Sequence, residues 1–378
     1  MTRAAHHADQ FSLTQARRIV ADLFRHKPWI YWTDWLLSLL VGGFCFTVVH
    51  RGHLIRRIEG ALGTESPLVH GVLVAGFFGV SVAGFYRAAL FIHEIVHFRK
   101  NSVPGFSFAW NLLTGIPFLM PSFLYRTHAH HHMRKHYGTA QDGEYLPLAR
   151  SHPIHILLYL AESFVLPPLA AARFLLLTPL TWWEGPLRRW VFRHMSSMVI
   201  NPKYVRPEPT RKELRIWRLQ EFGCFVYGWT LCGLLLAGVL PWHWLLQAYL
   251  TASGVLLLNA VRTLGAHYYR FTGEEVTFLD QLLDSVNYPF NWLLGEVWAP
   301  VGLRYHALHH LFPSMPYHNL GKAHRRLMTQ LPEDSPYRRT VSPGLWATIS
   351  CILREAWQYG RRSTAPASQP GRTHSLDG

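Results

Sequence analysis

The chain has 378 residues, 49% of them hydrophobic and 14% aromatic, and carries 37 Lys and Arg against 22 Asp and Glu for a formal net charge of +15. A mean hydropathy of +0.05 is too low for a protein made only of spanning helices, and no nucleic-acid-binding motif accompanies the positive charge. The charge instead fits basic residues that flank membrane spans and face anionic lipid, so no nucleic-acid partner is expected.

Residues 1–27 carry His, Asp and scattered Arg without a compact apolar stretch. They are expected to form a cytosolic N-terminal segment with no cleaved signal peptide. A membrane domain is expected over residues 28–330. A span takes about 20 apolar residues. Pro28 to Val49 meets this with a single acid, Asp34. Ser66 to Tyr86 has no charged residue, and the apolar pattern continues to about residue 92. Phe106 to Leu124, with Gly115, Pro117 and Pro121, and Ile154 to Ala172, with Glu162 and Pro167-Pro168, are long enough to span but interrupted. Both are read as re-entrant or surface-lying. Phe222 to Val261 is a run without charge, broken at Pro241-Trp242-His243-Trp244. It predicts two spans, about 222–240 and 243–262, joined by a tight aromatic turn. Residues 331–378 read as a cytosolic C-terminal segment, disordered after about residue 362 where Ser, Pro, Gly and Thr dominate. Cys45, Cys224, Cys232 and Cys351 follow no metal-ligand spacing, and no disulfide framework is expected.

With four spans, the regions before residue 34, from 93 to 221 and after 261 share one side, and they hold 33 of the 37 Lys and Arg. Positive charge favours the cytoplasmic side, which places both termini there. The expected fold is an all-α integral membrane protein, with four transmembrane helices in two hairpins and a cytosolic helical cap.

The 24 His outnumber all acids together, and their spacing points to metal. His93 and His97 are spaced i, i+4, so on a helix their imidazoles share a face. His128, His131 and His132 are spaced i, i+3, i+4, and His306, His309 and His310 repeat that pattern. His267 follows the fourth span directly. Nine ligands are too many for one zinc site, and they divide naturally into four and five around two ions. Imidazole suits Fe, Cu, Zn and Ni alike, so spacing leaves the metal open. The string His93-Glu94-Ile95-Val96-His97 also matches that of zinc metallopeptidases, with Glu94 as general base. That alternative leaves the two later clusters unexplained. Glu94, Asp142, Glu144, Asp280 and Asp284 are candidates to accept the free N–H of ligating imidazoles. His130 points off the shared face, and His136, four residues after His132, is a candidate to replace one ligand. His318 and His324 are given no role, and Arg325 and Arg326 read first as a solvated basic face and second as candidates for lipid headgroups or a donor protein.

The boxes His93–His97, His128–His132 and His306–His310, with the strings Tyr137-Gly138-Thr139-Ala140-Gln141-Asp142-Gly143-Glu144-Tyr145 and His309 through His318, resemble the membrane fatty acid desaturase and hydroxylase superfamily over roughly residues 35–330. The resemblance implies two Fe ions at His93, His97, His128, His131, His132, His267, His306, His309 and His310. It also implies O2 as co-substrate, and no catalytic side chain beyond the metal centre. A fused haem domain with a His-Pro-Gly-Gly signature, usual in the family, is absent, so a separate electron-donor protein and reductase are expected. The main expectation is a desaturase that introduces a double bond into a lipid acyl chain. The alternative is a hydroxylase or ketolase of the same fold, acting on alkyl, sphingoid, sterol or carotenoid lipid.

Overall fold

A computed structural model describes residues 12–64 and 66–363; the expected disordered tail, from residue 364 on, and the first eleven residues lie outside it. Among the described residues every regular element is helical, with three isolated bridges and no strand. Five helices are long and apolar enough to cross a membrane: α1 (Pro28–His50), α2 (Pro67–His97), α3 (Ile154–Leu180), α4 (Arg211–Leu236) and α5 (Trp242–Leu264). Their outward faces expose Leu40, Phe44, Leu68, Val72, Leu219 and Leu246, the surface expected of a multi-pass membrane protein.

Small residues let α1 and α2 approach closely. A Cβ on Gly84 would lie 2.8–2.9 Å from the backbone of Gly42 and Ser38, and Ser81 Oγ donates to Gly42 O at 3.0 Å. Close backbone contact of this kind is how spanning helices associate without a hydrophobic driving force. The acid inside α1 is neutralised. Arg87 of α2 grips both oxygens of Asp34, at 2.6 and 2.7 Å, and Tyr317 Oη donates to Asp34 at 2.7 Å. At the far ends, His50 stacks on His243 with ring centroids 4.8 Å apart, and Gln247 of α5 donates to Phe46 O at 2.8 Å.

The fifth long helix departs from expectation in its continuity, since its proline pair does not interrupt it. Pro167 and Pro168 sit inside α3 without ending it. Pro168 has no N–H to return to Phe164 O, and Tyr249 Oη of α5 donates to that carbonyl instead, at 3.0 Å. The start of α3 packs near the end of α5, where Tyr159 shares a core with Ala260 and Leu264. Its end lies along α4: Arg173 pairs with Glu221, and Trp229 Nε1 donates to Leu175 O at 3.1 Å. The legs α4 and α5 therefore diverge from their turn, with α3 between them. The helix α4 also starts eleven residues before the expected span, because Thr210 and Glu213 form a reciprocal N-terminal cap.

The other interrupted stretch is a short helix, Phe106–Trp110, followed by a widened turn, Asn111–Gly115. Asn111 side-chain bonds to Ser122 (both 2.8 Å) fold it back on itself. Trp35 Nε1 donates to Thr114 at 3.0 Å, and Trp110 Nε1 to Ala88 O at 2.9 Å, pinning the turn against α1 and α2.

Candidate metal centre

The nine histidines come from four places that meet at one end of the bundle. His93 and His97 occupy the last turns of α2, and His128 and His131 lie on a short helix with His132 as its cap. His267 follows α5, its position fixed by a bridge to Ser285. Two further helices complete the region, α6 (Trp292–Trp298) and α7 (His306–Leu311), the latter carrying the last three histidines.

They form two groups. His93, His97, His128, His132 and His309 make one, and His131, His267, His306 and His310 the other, with ligand atoms of each group within 4.8 Å of one another. The Nε2 atoms converge: His128 to His132 at 2.9 Å, His132 to His309 at 3.2 Å, His131 to His267 at 3.1 Å, His267 to His306 at 2.8 Å, and His306 to His310 at 3.1 Å. An ion about 2.1 Å from each nitrogen sets neighbouring ligand nitrogens about 3 Å apart, so the residues present fit a metal. Both ring nitrogens of His93 and Nε2 of His97 are buried with no hydrogen-bond partner, a costly state for a structural histidine. Burial, then the neighbouring imidazoles, hold His132, His306, His309 and His310 well below the usual imidazole range, which keeps them neutral and able to ligate. His267 is lowered likewise, by burial and then by His131.

The outward Nδ1 atoms meet oxygen. His128 Nδ1 faces Glu144 Oε1 at 2.8 Å, and His131 Nδ1 faces Asp142 Oδ2 at 2.9 Å. Burial opposes charge on His131, but Asp142 outweighs it and raises the imidazole above its ordinary value. Asp142 is fully buried and also accepts from the backbone N–H of Gly138 and Glu144. His267 Nδ1 meets Tyr137 Oη at 2.8 Å, and that hydroxyl donates to Asp284 at 2.7 Å. Such partners fix the tautomer and aim of each ring.

Two expected carboxylates stand elsewhere. Asp280 accepts from Thr277 and caps a short helix, because it falls at the third position after that cap. Glu94 accepts from Tyr31 Oη at 2.7 Å and from Tyr317 N at 3.2 Å, and bonds no histidine. One residue on from His93 it sits about 100° around the helix, off the ligand face. His130 and His136 contact each other outside both groups, since the helix stops at His131 and the stripe toward His136 is lost. His318 packs by Tyr31 and His324 bonds Tyr337 at 2.8 Å, both away from the groups. Arg326 pairs with Asp22 of the N-terminal segment, while Arg325 is exposed. Sequence reasoning gave no role to Tyr125, which donates to Glu144 at 3.0 Å, or to Tyr137 and Tyr145, which both donate to Asp284. Only the position of Tyr125 three residues before His128 could have hinted at it.

The fatty acid desaturase family model matches residues 67–342, and the chain belongs to that family. Among curated proteins, it is similar to a ceramide hydroxylase of Caulobacter vibrioides (strain NA1000 / CB15N), with 37% identity over 355 residues that cover 93% of this chain and 96% of the relative. No solved structure matches.

Proposed function

We propose that this chain hydroxylates an alkyl carbon of a ceramide-type membrane lipid, with O2, two electrons and two protons converting C–H to C–OH and releasing one water, at a centre in which the nine histidines hold two iron ions. The convergence of groups of five and four imidazoles, six of the nine buried, carries the chemistry. The likeness to a ceramide hydroxylase along nearly the whole length of both chains favours hydroxylation over the desaturation first expected, and supplies the substrate class. The peptidase alternative loses its general base, since Glu94 is engaged by Tyr31 and Tyr317.

When bound, iron supplies the oxidising power that an unactivated C–H bond requires. The chain's own residues do the rest. Asp142 and Glu144 hold the Nδ1 protons of His131 and His128, so each Nε2 lone pair faces inward. Tyr137 performs that office for His267 with Asp284 behind it. Electrons come from a separate donor protein and its reductase.

The histidine contacts also support a four-span topology with α3 re-entrant. His131 and His267 are 3.1 Å apart, so the chain between them crosses the bilayer an even number of times. The helices α4 and α5 account for two crossings, and a third in α3 would part those residues by the hydrocarbon core of about 30 Å. The same argument keeps the stretch between His97 and His128 on one side. The basic bias of that side makes it the cytoplasmic one.

The test is expression in a ceramide-containing host under isotopically heavy O2, with lipid mass analysis. Gain of one heavy oxygen is expected. Loss of two hydrogens without oxygen would restore the desaturase reading, and turnover without O2 would remove both.

A further inference from the structure

Residues 288–304 make an excursion out of the histidine region. Its base is closed by Tyr288 N donating to Arg304 O at 2.7 Å and by the bridge between Asn287 and Tyr305, next to His306. The excursion carries α6, and its outer surface is apolar: Phe290, Trp292, Leu293, Leu294 and Val297 are all more than half exposed. On a water-facing segment, five such residues in eight would be a costly patch. The inner face is fastened. Gly295 lies against Arg304, where a Cβ would come within 3.0 Å of its side chain. Glu296 accepts from Arg87 of α2 at 2.9 Å, and Tyr86 Oη donates to Trp298 O at 2.9 Å.

These anchors set its level. Arg87 and Tyr86 precede His93 by six and seven residues, which on a helix is about 9–10 Å toward the bilayer centre. The helix α6 also packs on α5. Its exposed apolar face is therefore continuous with the lipid-facing surfaces of two spanning helices. Trp292 at its start suits the amphipathic boundary between headgroups and hydrocarbon.

We propose that residues 288–304 form a flap that dips into the bilayer and docks on lipid hydrocarbon through Trp292, Leu293, Leu294 and Val297. The polar edge of the flap, Glu296 with Arg87 and Asp34, stays turned to the protein, so no unpaired charge enters lipid. This contact does not depend on which reaction the histidine centre performs.

The experiment places a nitroxide on Leu293→Cys and, separately, Leu294→Cys, in full-length protein lacking its four native cysteines and reconstituted in phosphatidylcholine vesicles. Relaxation by O2, which concentrates in hydrocarbon, is compared with relaxation by a water-soluble nickel chelate. Leu40→Cys on the lipid face of α1 and the exposed Glu333→Cys give the two references. The O2-to-nickel ratio at Leu293 and Leu294 is expected to exceed that at Glu333 by about tenfold or more, since a polar complex is excluded from hydrocarbon, and to reach no higher than that at Leu40, which lies deeper along α1 than Asp34. A ratio equal to that at Glu333 at both sites would overturn the proposal and leave the patch as a surface for another protein. Every labelled side chain is exposed, so labelling itself removes no packing, and the replacement of the buried Cys45 and Cys224 is common to all four proteins, the two references included.

Discussion

Asp142→Asn isolates what a buried carboxylate does for the four-histidine group. The wild-type carboxylate receives three N–H groups: His131 Nδ1 at 2.9 Å, Gly138 N at 3.1 Å and Glu144 N at 2.9 Å. Oδ2 serves His131 and Gly138, and Oδ1 serves Glu144. In asparagine one of these oxygens becomes an NH2, so at least one buried donor loses its acceptor and meets another donor, at a cost of about 1–3 kcal/mol. The shape is kept, so the fold survives. Part of the cost falls on the orientation of His131, and loss of such a partner weakens metal binding by about 10- to 100-fold, or about 1.4 to 2.7 kcal/mol. Because His131 belongs to one group only, purified protein equilibrated with a graded chelator should fall from about two metals per chain to about one at chelator levels the wild type tolerates. Elemental analysis against protein concentration reads this directly. If Asp142→Asn holds both metals as firmly as wild type, the carboxylate does not orient His131 and the reasoning fails.

Asp280→Ala is the matched control: it removes only a helix cap, so stability should fall by about 1 kcal/mol with metal content unchanged, as thermal unfolding and elemental analysis would show. His309→Ala should abolish product formation while membrane insertion is retained, and wild-type turnover in that variant would take the third box out of the site. Gly84→Ala should destabilise by about 1–3 kcal/mol, because the new Cβ meets rigid backbone of α1. Gly79→Ala, where nothing lies within 4 Å, should not, and detergent unfolding curves would separate the two.

The clustering of the nine histidines was legible because a helix turns periodic spacing into a shared face: i, i+3 and i+4 need no tertiary knowledge. Which histidine joins which group was not legible. His131 and His132 are neighbours in sequence yet enter different groups, a division made by long-range packing against His267 and His309. The carboxylates split for the same reason. Asp142 and Glu144 lie on a loop whose path brings them back to the histidines, whereas Asp280 is claimed locally by Thr277. Four of the five long apolar helices were readable from uninterrupted apolarity. For α3 the Pro pair read as an interruption, but a hydroxyl from another helix, Tyr249, satisfies the carbonyl that Pro168 frees. No local rule could supply that donor.

The length of α2 links the metal region to the membrane itself. At 31 residues the helix is about 46 Å long, some three turns more than the roughly 30 Å of hydrocarbon requires, and it runs unbroken to His97. His93 and His97 thus stand on a rigid post whose height is set by residue count. A thicker bilayer covers more of the post and a thinner one exposes it, at a modest energy per ångström. Under the proposed hydroxylation, the depth at which a lipid tail meets the histidines becomes a property of the host membrane as well as of the protein, and moving the chain between membranes of different thickness would shift the carbon presented without altering a single side chain.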